Sequence, residues 1–256
     1  MERSNLISEK NMQFPSIHEG NLILVNPDYP CQSQPSRLSE VRPAQNTVLL
    51  EDQASRALME LFDRLEIVGE IVCFDGYRTQ QQQIELYQNS LEENGQEYTE
   101  KFVAKPGCSE HECGLAIDLA LNQDDIDPIC PSFPDHGICG LFRKQAASAG
   151  FMERYKESKK EITKISGEEW HFRYVGIPHA LIMLETGFCL EEYIEWIRNY
   201  PLTRHPLYYE GWTIGYVSQD MPLPKLDKNL ECSISGDNVK GWIVTCAGHV
   251  KFDTVE

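Results

Sequence analysis

The chain has 256 residues, of which 41% are hydrophobic and 25% charged, a composition typical of a globular protein with a sizeable core. Its formal net charge of −17 predicts repulsion from nucleic acid and anionic membranes, so we expect neither as a partner. No stretch approaches the roughly 18 apolar residues of a membrane span, and residues 1–14 lack the apolar core of a signal peptide. We therefore predict a cytoplasmic protein.

Apolar spacing predicts strands and helices that alternate without a strict βαβ rhythm. The expected strands cover 21–25, 69–75, 115–121 and 170–175, and the expected helices cover 51–67, 79–94, 141–149, 177–187 and 190–199. Residues 122–140 contain Asp124, Asp125 and Asp127 with three prolines but without EF-hand spacing, which favours a solvated loop over a calcium site. The pattern predicts an α+β fold with a small, mainly antiparallel central sheet flanked by helices.

The character of the chain changes after Pro201. Trp212, Ile214 and Tyr216 alternate with smaller or polar residues, and residues 242–246 repeat the pattern, which predicts about three strands between 207 and 250. So small a sheet needs a partner surface. We predict a main catalytic domain over 1–200 and a β-rich C-terminal extension over 201–256 packed on it.

Nine cysteines are an odd number, and none forms a CxxC pair. We interpret them mainly as small buried thiols, with a Cys130–Cys139 link as the exception to look for first.

The chemistry is concentrated in two segments. Residues 109–118 read Ser-Glu-His-Glu-Cys-Gly-Leu-Ala-Ile-Asp, and residues 168–171 read Glu-Glu-Trp-His. Two imidazoles and one carboxylate make a three-ligand catalytic metal site with one position left open, so His111, Asp118 and His171 are the predicted ligands. We expect His111 just before a strand, Asp118 within it, and His171 at the start of the neighbouring strand.

Peptide hydrolysis also needs a base and a group that stabilises the oxyanion. Glu168, three residues before His171, is the predicted base, since a turn would bring its carboxylate to the site. Arg78 follows a predicted strand in Asp75-Gly-Tyr-Arg-Thr79 and is the predicted oxyanion partner. Gln83, one turn into the next helix, is a candidate substrate contact.

Together these motifs resemble the zinc D-Ala-D-Ala peptidases. The resemblance rests on Ser-x-His-x-x-Gly-x-Ala-x-Asp, then Glu-x-x-His, preceded by Gly-Tyr-Arg, and it covers roughly residues 20–200. Within that family the chain is most similar to the bifunctional D,D-dipeptidase/D,D-carboxypeptidases of vancomycin resistance, the VanXY type. The resemblance implies one Zn²⁺ on His111, Asp118 and His171, Glu168 as base, Arg78 at the transition state, and Ser109 and Gln83 as substrate contacts.

The implied reaction is hydrolysis of the peptide bond before a C-terminal D-Ala, in D-Ala-D-Ala and in UDP-MurNAc-pentapeptide. Two alternatives stay open: an L,D-carboxypeptidase acting on cell-wall tetrapeptides, and a zinc-stabilised peptide-binding module without catalysis. The sequence reports neither the stereochemistry of the residue before the scissile bond nor the oligomeric state.

Side chains outside these motifs are interpreted as structural. This group contains His18, His136, His179, His205 and His249, and also Tyr155 and Tyr174, for which we expect core packing.

Overall fold

The computed structural model describes residues 12–227 and 229–252. Its strands are β1 (Leu38–Val41), β2 (Val48–Glu51), β3 (Ile71–Asp75), β4 (Ala116–Leu121), β5 (Phe151–Tyr155), β6 (Glu168–Tyr174), β7 (Leu207–Tyr209), β8 (Trp212–Ser218), β9 (Cys232–Gly236) and β10 (Gly241–Ala247). Its helices are α1 (Asp52–Arg64), α2 (Gln80–Asn94), α3 (Gln96–Phe102), α4 (Gly137–Ala146), α5 (Lys160–Thr163), α6 (His179–Thr186) and α7 (Leu190–Ile197).

The central sheet has the strand order β3-β4-β6-β5, and every neighbouring pair is antiparallel. Strand β4 lies inside the sheet, and its first five residues are all buried. A strand covered on both faces reads as a continuous apolar run, which is how Ala116–Leu121 reads apart from Asp118. This sheet confirms the predicted α+β class with a mainly antiparallel centre.

Helices α1 and α4 pack against this sheet. Ala54, Leu58, Leu61 and Phe62 on α1 are buried in one cluster with residues of the sheet, as the helical spacing predicted. The helix begins at Asp52, where the Glu51 carboxylate accepts hydrogen bonds from two free main-chain amides, and it ends at Arg64.

The C-terminal segment forms a second antiparallel sheet of four strands, in the order β7-β8-β10-β9, where about three were expected. Ile214, Tyr216 and Ile243 share a buried cluster with Leu190 and Ile194 of α7. Burial of this face explains how so small a sheet is stabilised. The division of the chain at residue 200 stays a prediction.

Several local predictions were wrong. Residues 22–25 are buried, but the segment 21–25 is not a strand, because side chains rather than a neighbouring strand bond its carbonyls. Arg173 donates to the Asn21 and Ile23 carbonyls, and Asn238 donates to that of Leu24. Strands β1, β2 and β5 and helices α3 and α5 were not predicted from the sequence.

The predicted cysteine link was also wrong. The structure pairs Cys31 with Cys113 and Cys232 with Cys246. Cys139 is buried in α4, and Cys130 contacts the Tyr98 hydroxyl instead. No helix in the described ranges is both long and apolar enough to cross a membrane.

Candidate active site

Three predicted ligands converge at the middle of the central sheet. His111 lies on a single 3₁₀ turn, Glu110–Cys113, just before β4; Asp118 lies on β4; and His171 lies directly opposite Asp118 on β6. One ligand atom from each falls within 4.8 Å of the others. The structure places His171 in the middle of its strand rather than at the start, because β6 begins at Glu168.

The turn that carries His111 is held at both ends. The Ser109 hydroxyl accepts the His111 amide and the Glu112 carboxylate accepts the Ser109 amide, which together form a capping box. Gly114 ends the turn in the left-handed conformation, with φ +67°, and leads directly into β4.

Each histidine has one ring nitrogen engaged and one facing the other ligands. Nδ1 of His111 lies 2.6 Å from the Gly76 carbonyl oxygen, so it is the protonated donor, and Nε2 lies 3.2 Å from Asp118 Oδ2. His171 is reversed, with Nδ1 2.9 Å from Asp118 Oδ1 and Nε2 3.4 Å from Glu110 Oε2. This arrangement leaves one lone pair on each ring for a metal ion.

The donor set fits a divalent cation. Although burial by itself raises the pKa of Asp118, the charges and hydrogen bonds of His111 and His171 hold it well below its usual range. Burial opposes protonation of His171, yet its bonds to Asp118 and Glu110 raise its pKa to about 9. Two buried imidazoles against buried carboxylates form a site that attracts positive charge, and two nitrogens with one oxygen suit zinc.

Glu168 reaches the same point because β6 bulges. Between the pairs Glu153–Phe172 and Tyr155–Glu168, β6 contains more residues than β5. This bulge breaks the strict alternation of side chains between the two faces of the sheet. Oε2 of Glu168 thereby lies 3.8 Å from His171 Nδ1. A strand bulge, and not the predicted turn, brings the two together. Burial raises the pKa of Glu168 to about 8, against the opposing charge of His171.

Arg78 reaches the site from the loop after β3. Its Nη2 lies 3.4 Å from Asp118 Oδ2, its Nε donates to Asp75, and its Nη1 donates to Gln83 Oε1 at 2.7 Å. Gln83 is fully buried, and its amide nitrogen donates to the Ala104 carbonyl oxygen. Gln83 therefore lies behind Arg78, where it supports the guanidinium, instead of facing the cavity as a substrate contact.

A cavity of about 70 Å³ opens beside the three ligands, and Arg78, Ser109 and Glu168 line it. Trp170 lines it too. An adjacent cavity of about 220 Å³ shares four lining residues with it: Val103, Ala104, Tyr155 and Ile165. A larger cavity of about 280 Å³ between α4, β5 and α6 contains no predicted site residue.

Two residues at the site were missed or misread from sequence. Tyr155 is buried, as expected for core packing, but its ring also lies 4.8 Å from the His171 ring and lines the cavity. Glu110 contacts His171 from the other side.

Pro128 and Ile129 also line the cavity, so the predicted solvated loop contributes to the site. Its aspartates form no acidic metal cluster within the described residues.

The comparisons with known proteins agree with this geometry. The family model for VanY, the D-alanyl-D-alanine carboxypeptidase, matches residues 47–177, which include every predicted site residue. The chain belongs to this family. It is similar to the bifunctional D-Ala-D-Ala dipeptidase and D-Ala-D-Ala carboxypeptidase VanXYC of Enterococcus gallinarum, with 42% identity over 69% of this chain and 94% of the relative.

Two solved structures are similar to this chain. The D,D-dipeptidase VanXYg, crystallised with a D-Ala-D-Ala phosphinate analog, is 41% identical, with a TM-score of 0.86 over 90% of this chain and 95% of that one. A mutant of the D,D-pentapeptidase VanY from a VanB-type resistance cassette, in complex with Zn(II), is 31% identical, with a TM-score of 0.55 over 68% of this chain and 98% of that one.

Proposed function

We propose that this VanY-family chain is a zinc-dependent D,D-peptidase. It hydrolyses the peptide bond before a C-terminal D-Ala, both in D-Ala-D-Ala and in the pentapeptide of peptidoglycan precursors. The observation that carries the proposal is the convergence of His111, Asp118 and His171 with Glu168 and Arg78 on one cavity. The similarity to the bifunctional enzyme VanXYC covers nearly the whole length of that relative, and it supports the same pair of substrates.

His111 Nε2, Asp118 and His171 Nδ1 would hold one zinc ion. A zinc ion in such a site polarises the scissile carbonyl and makes the attacking water more acidic. The Zn(II) complex of a VanY relative supports this choice of metal. The two-nitrogen, one-oxygen donor set supports it independently.

The chain's own groups account for the proton and the charge. Glu168 accepts a proton from the attacking water and delivers it to the leaving amine, which requires a carboxylate on the open side of the ligands. Arg78 donates to the oxyanion as charge develops there, and its ties to Asp75 and Gln83 preorganise it. Ser109, which lines the cavity, is the proposed contact for substrate.

The neighbouring cavity supports a longer substrate. A dipeptide needs only the space beside the ligands, whereas a pentapeptide must continue beyond it. The two cavities share four lining residues, and we propose that a longer substrate extends from the first towards the second. We propose UDP-MurNAc-pentapeptide as that substrate and the cytoplasm as the location. Hydrolysis of both the free dipeptide and the pentapeptide would remove the D-Ala-D-Ala terminus that vancomycin binds.

The decisive assay is D-alanine release by the zinc-loaded protein from three substrates: D-Ala-D-Ala, UDP-MurNAc-pentapeptide, and a tetrapeptide ending in Lys-D-Ala. We expect release from the first two, abolished by a chelator and restored by Zn²⁺. Release from the tetrapeptide alone would reassign the chain as an L,D-carboxypeptidase. No release from any of them, with zinc still bound, would leave a non-catalytic peptide-binding module.

A further inference from the structure

Glu110 is a buried carboxylate that contacts a metal ligand without being one. It is 1% exposed, and its Oε2 lies 3.4 Å from Nε2 of His171, on the opposite side of the ring from Asp118. The ring is therefore flanked by two carboxylates. Asp118 is at the nitrogen that faces the cavity and Glu110 is at the nitrogen that faces the protein interior.

Two arginines balance the charge of Glu110. Arg154 Nε lies 2.8 Å and Arg173 Nη1 lies 2.9 Å from the same oxygen, Oε1, and both guanidinium groups are fully buried. Arg154 also pairs with Glu191 at 2.7 Å, so two carboxylates face two guanidinium groups.

The 3₁₀ turn explains how neighbours in sequence serve both histidines. Such a turn has about three residues per revolution, so adjacent side chains leave it roughly 120° apart. His111 points to the cavity. Glu110 points into the protein interior, where it contacts Arg154, Arg173 and His171. One turn thus supplies a ligand and, from the preceding residue, a support for the ligand on the facing strand.

We propose that Glu110 is the positioning residue that makes His171 an Nδ1 ligand. Its carboxylate, neutralised by Arg154 and Arg173, accepts the Nε2–H of His171, which leaves the lone pair of Nδ1 for the metal ion. A ligand histidine commonly donates its second N–H in this way, and loss of such a partner typically weakens metal binding by about 10- to 100-fold. The inference rests on the metal site of the proposed function.

The test compares two variants that make the same charge change in the same network. Glu110→Gln removes the carboxylate that contacts His171. Glu191→Gln removes a carboxylate that contacts Arg154 but neither Arg173 nor His171. Zinc affinity is measured by competition with a chromogenic chelator. We expect Glu110→Gln to bind zinc about 10- to 100-fold more weakly than wild type and Glu191→Gln to stay within about threefold. Equal affinity of the two variants would overturn the proposal.

If Glu110→Gln does not fold, as judged by circular dichroism, the charge-preserving pair Glu110→Asp and Glu191→Asp gives the same comparison with the same expected order. A second readout is the tautomer of His171 in the zinc-loaded protein, from ¹⁵N NMR. We expect the proton on Nε2 in wild type; a proton on Nδ1 would exclude the proposed role. Neither readout uses hydrolysis, so both remain interpretable if the proposed peptidase activity fails.

In zinc-saturated Glu110 variants that fold, we expect a lower kcat for D-Ala-D-Ala and a KM within about twofold of wild type, since Glu110 does not touch the cavity. A residue with a purely structural role in the turn would lower stability without this split between kcat and KM.

Discussion

Oε2 of Glu168 lies 3.8 Å from Nδ1 of His171, although the two residues are three apart on one strand. Residues three apart on a regular strand point to opposite faces of the sheet. The bulge in β6 removes that constraint and buries Glu168, while its neighbour Glu169 is exposed. The bulge therefore decides which of two adjacent glutamates belongs to the site.

Glu168→Gln is expected to lower kcat for D-Ala release by at least about 100-fold, because the amide cannot take the proton of the attacking water. Zinc content and the circular dichroism spectrum should match wild type. The control is Glu169→Gln, one residue away and exposed, which we expect to keep its activity. Unchanged hydrolysis by Glu168→Gln would contradict the assignment of the base.

Removal of zinc is expected to lower the melting temperature as well as the activity. An ion that binds only the folded state stabilises it by about 2.7 kcal/mol when its free concentration is 100-fold above the dissociation constant. The measurement is a thermal scan with zinc and with chelator. Asp118→Asn should lose most of this zinc-dependent shift; a full shift in that variant would show that zinc binds elsewhere.

The position of Gln83 behind Arg78 predicts different effects for two substitutions. Gln83→Leu removes the acceptor for Arg78 Nη1 and should lower kcat by about tenfold, with little change in KM, because this side chain is fully buried and does not line the cavity. Gln83→Glu keeps the acceptor and should retain more activity. A raised KM with normal kcat in Gln83→Leu would instead support the earlier interpretation of Gln83 as a substrate contact.

Gly114→Ala is expected to destabilise the protein and the His111 turn. A left-handed backbone costs a residue with a Cβ about 1–2 kcal/mol, and here the new Cβ would also lie 3.2 Å from the Glu51 amide nitrogen. Gly187 is the matched control, since its φ is +70° but a Cβ there meets no atom within 4 Å. Chemical denaturation should show a larger loss for Gly114→Ala than for Gly187→Ala; equal losses would exclude a contribution from crowding.

His179 predicts a loss of stability in mild acid. It is buried between the Tyr193 hydroxyl and Thr245 Oγ1, and burial lowers its pKa from the ordinary 6.5 to about 3. Below pH 6.5 the unfolded chain binds a proton that the folded protein does not, so stability is complete above that pH and falls towards pH 3. The loss approaches about 1.4 kcal/mol per pH unit. Urea unfolding of His179→Gln should show a weaker pH dependence than wild type in this window; an identical dependence would contradict it.

The interpretation of His179 as structural is confirmed by its two buried hydrogen bonds. Predictions of secondary structure from the sequence succeed where burial of an apolar face dominates, as for the spacing of Ala54, Leu58 and Leu61 on α1. They fail where side chains from distant segments satisfy the backbone. Residues 21–25 have the composition of a strand, but Arg173 and Asn238 take the bonds that a neighbouring strand would have taken.

The order and spacing of His111, Asp118 and His171 were enough to name them as candidate ligands, since residue type limits which groups can bind a metal and a strand limits where they point. The structure brings the three together. Tertiary structure decided the rest. Only the packing of segments distant in sequence shows that Glu110 faces His171 and that Tyr155 lines the cavity. Likewise, only the folded structure shows that Gln83 lies behind Arg78. These roles depend on burial and on contacts between distant segments, and a buried carboxylate is stable only where partners such as Arg154 and Arg173 meet it.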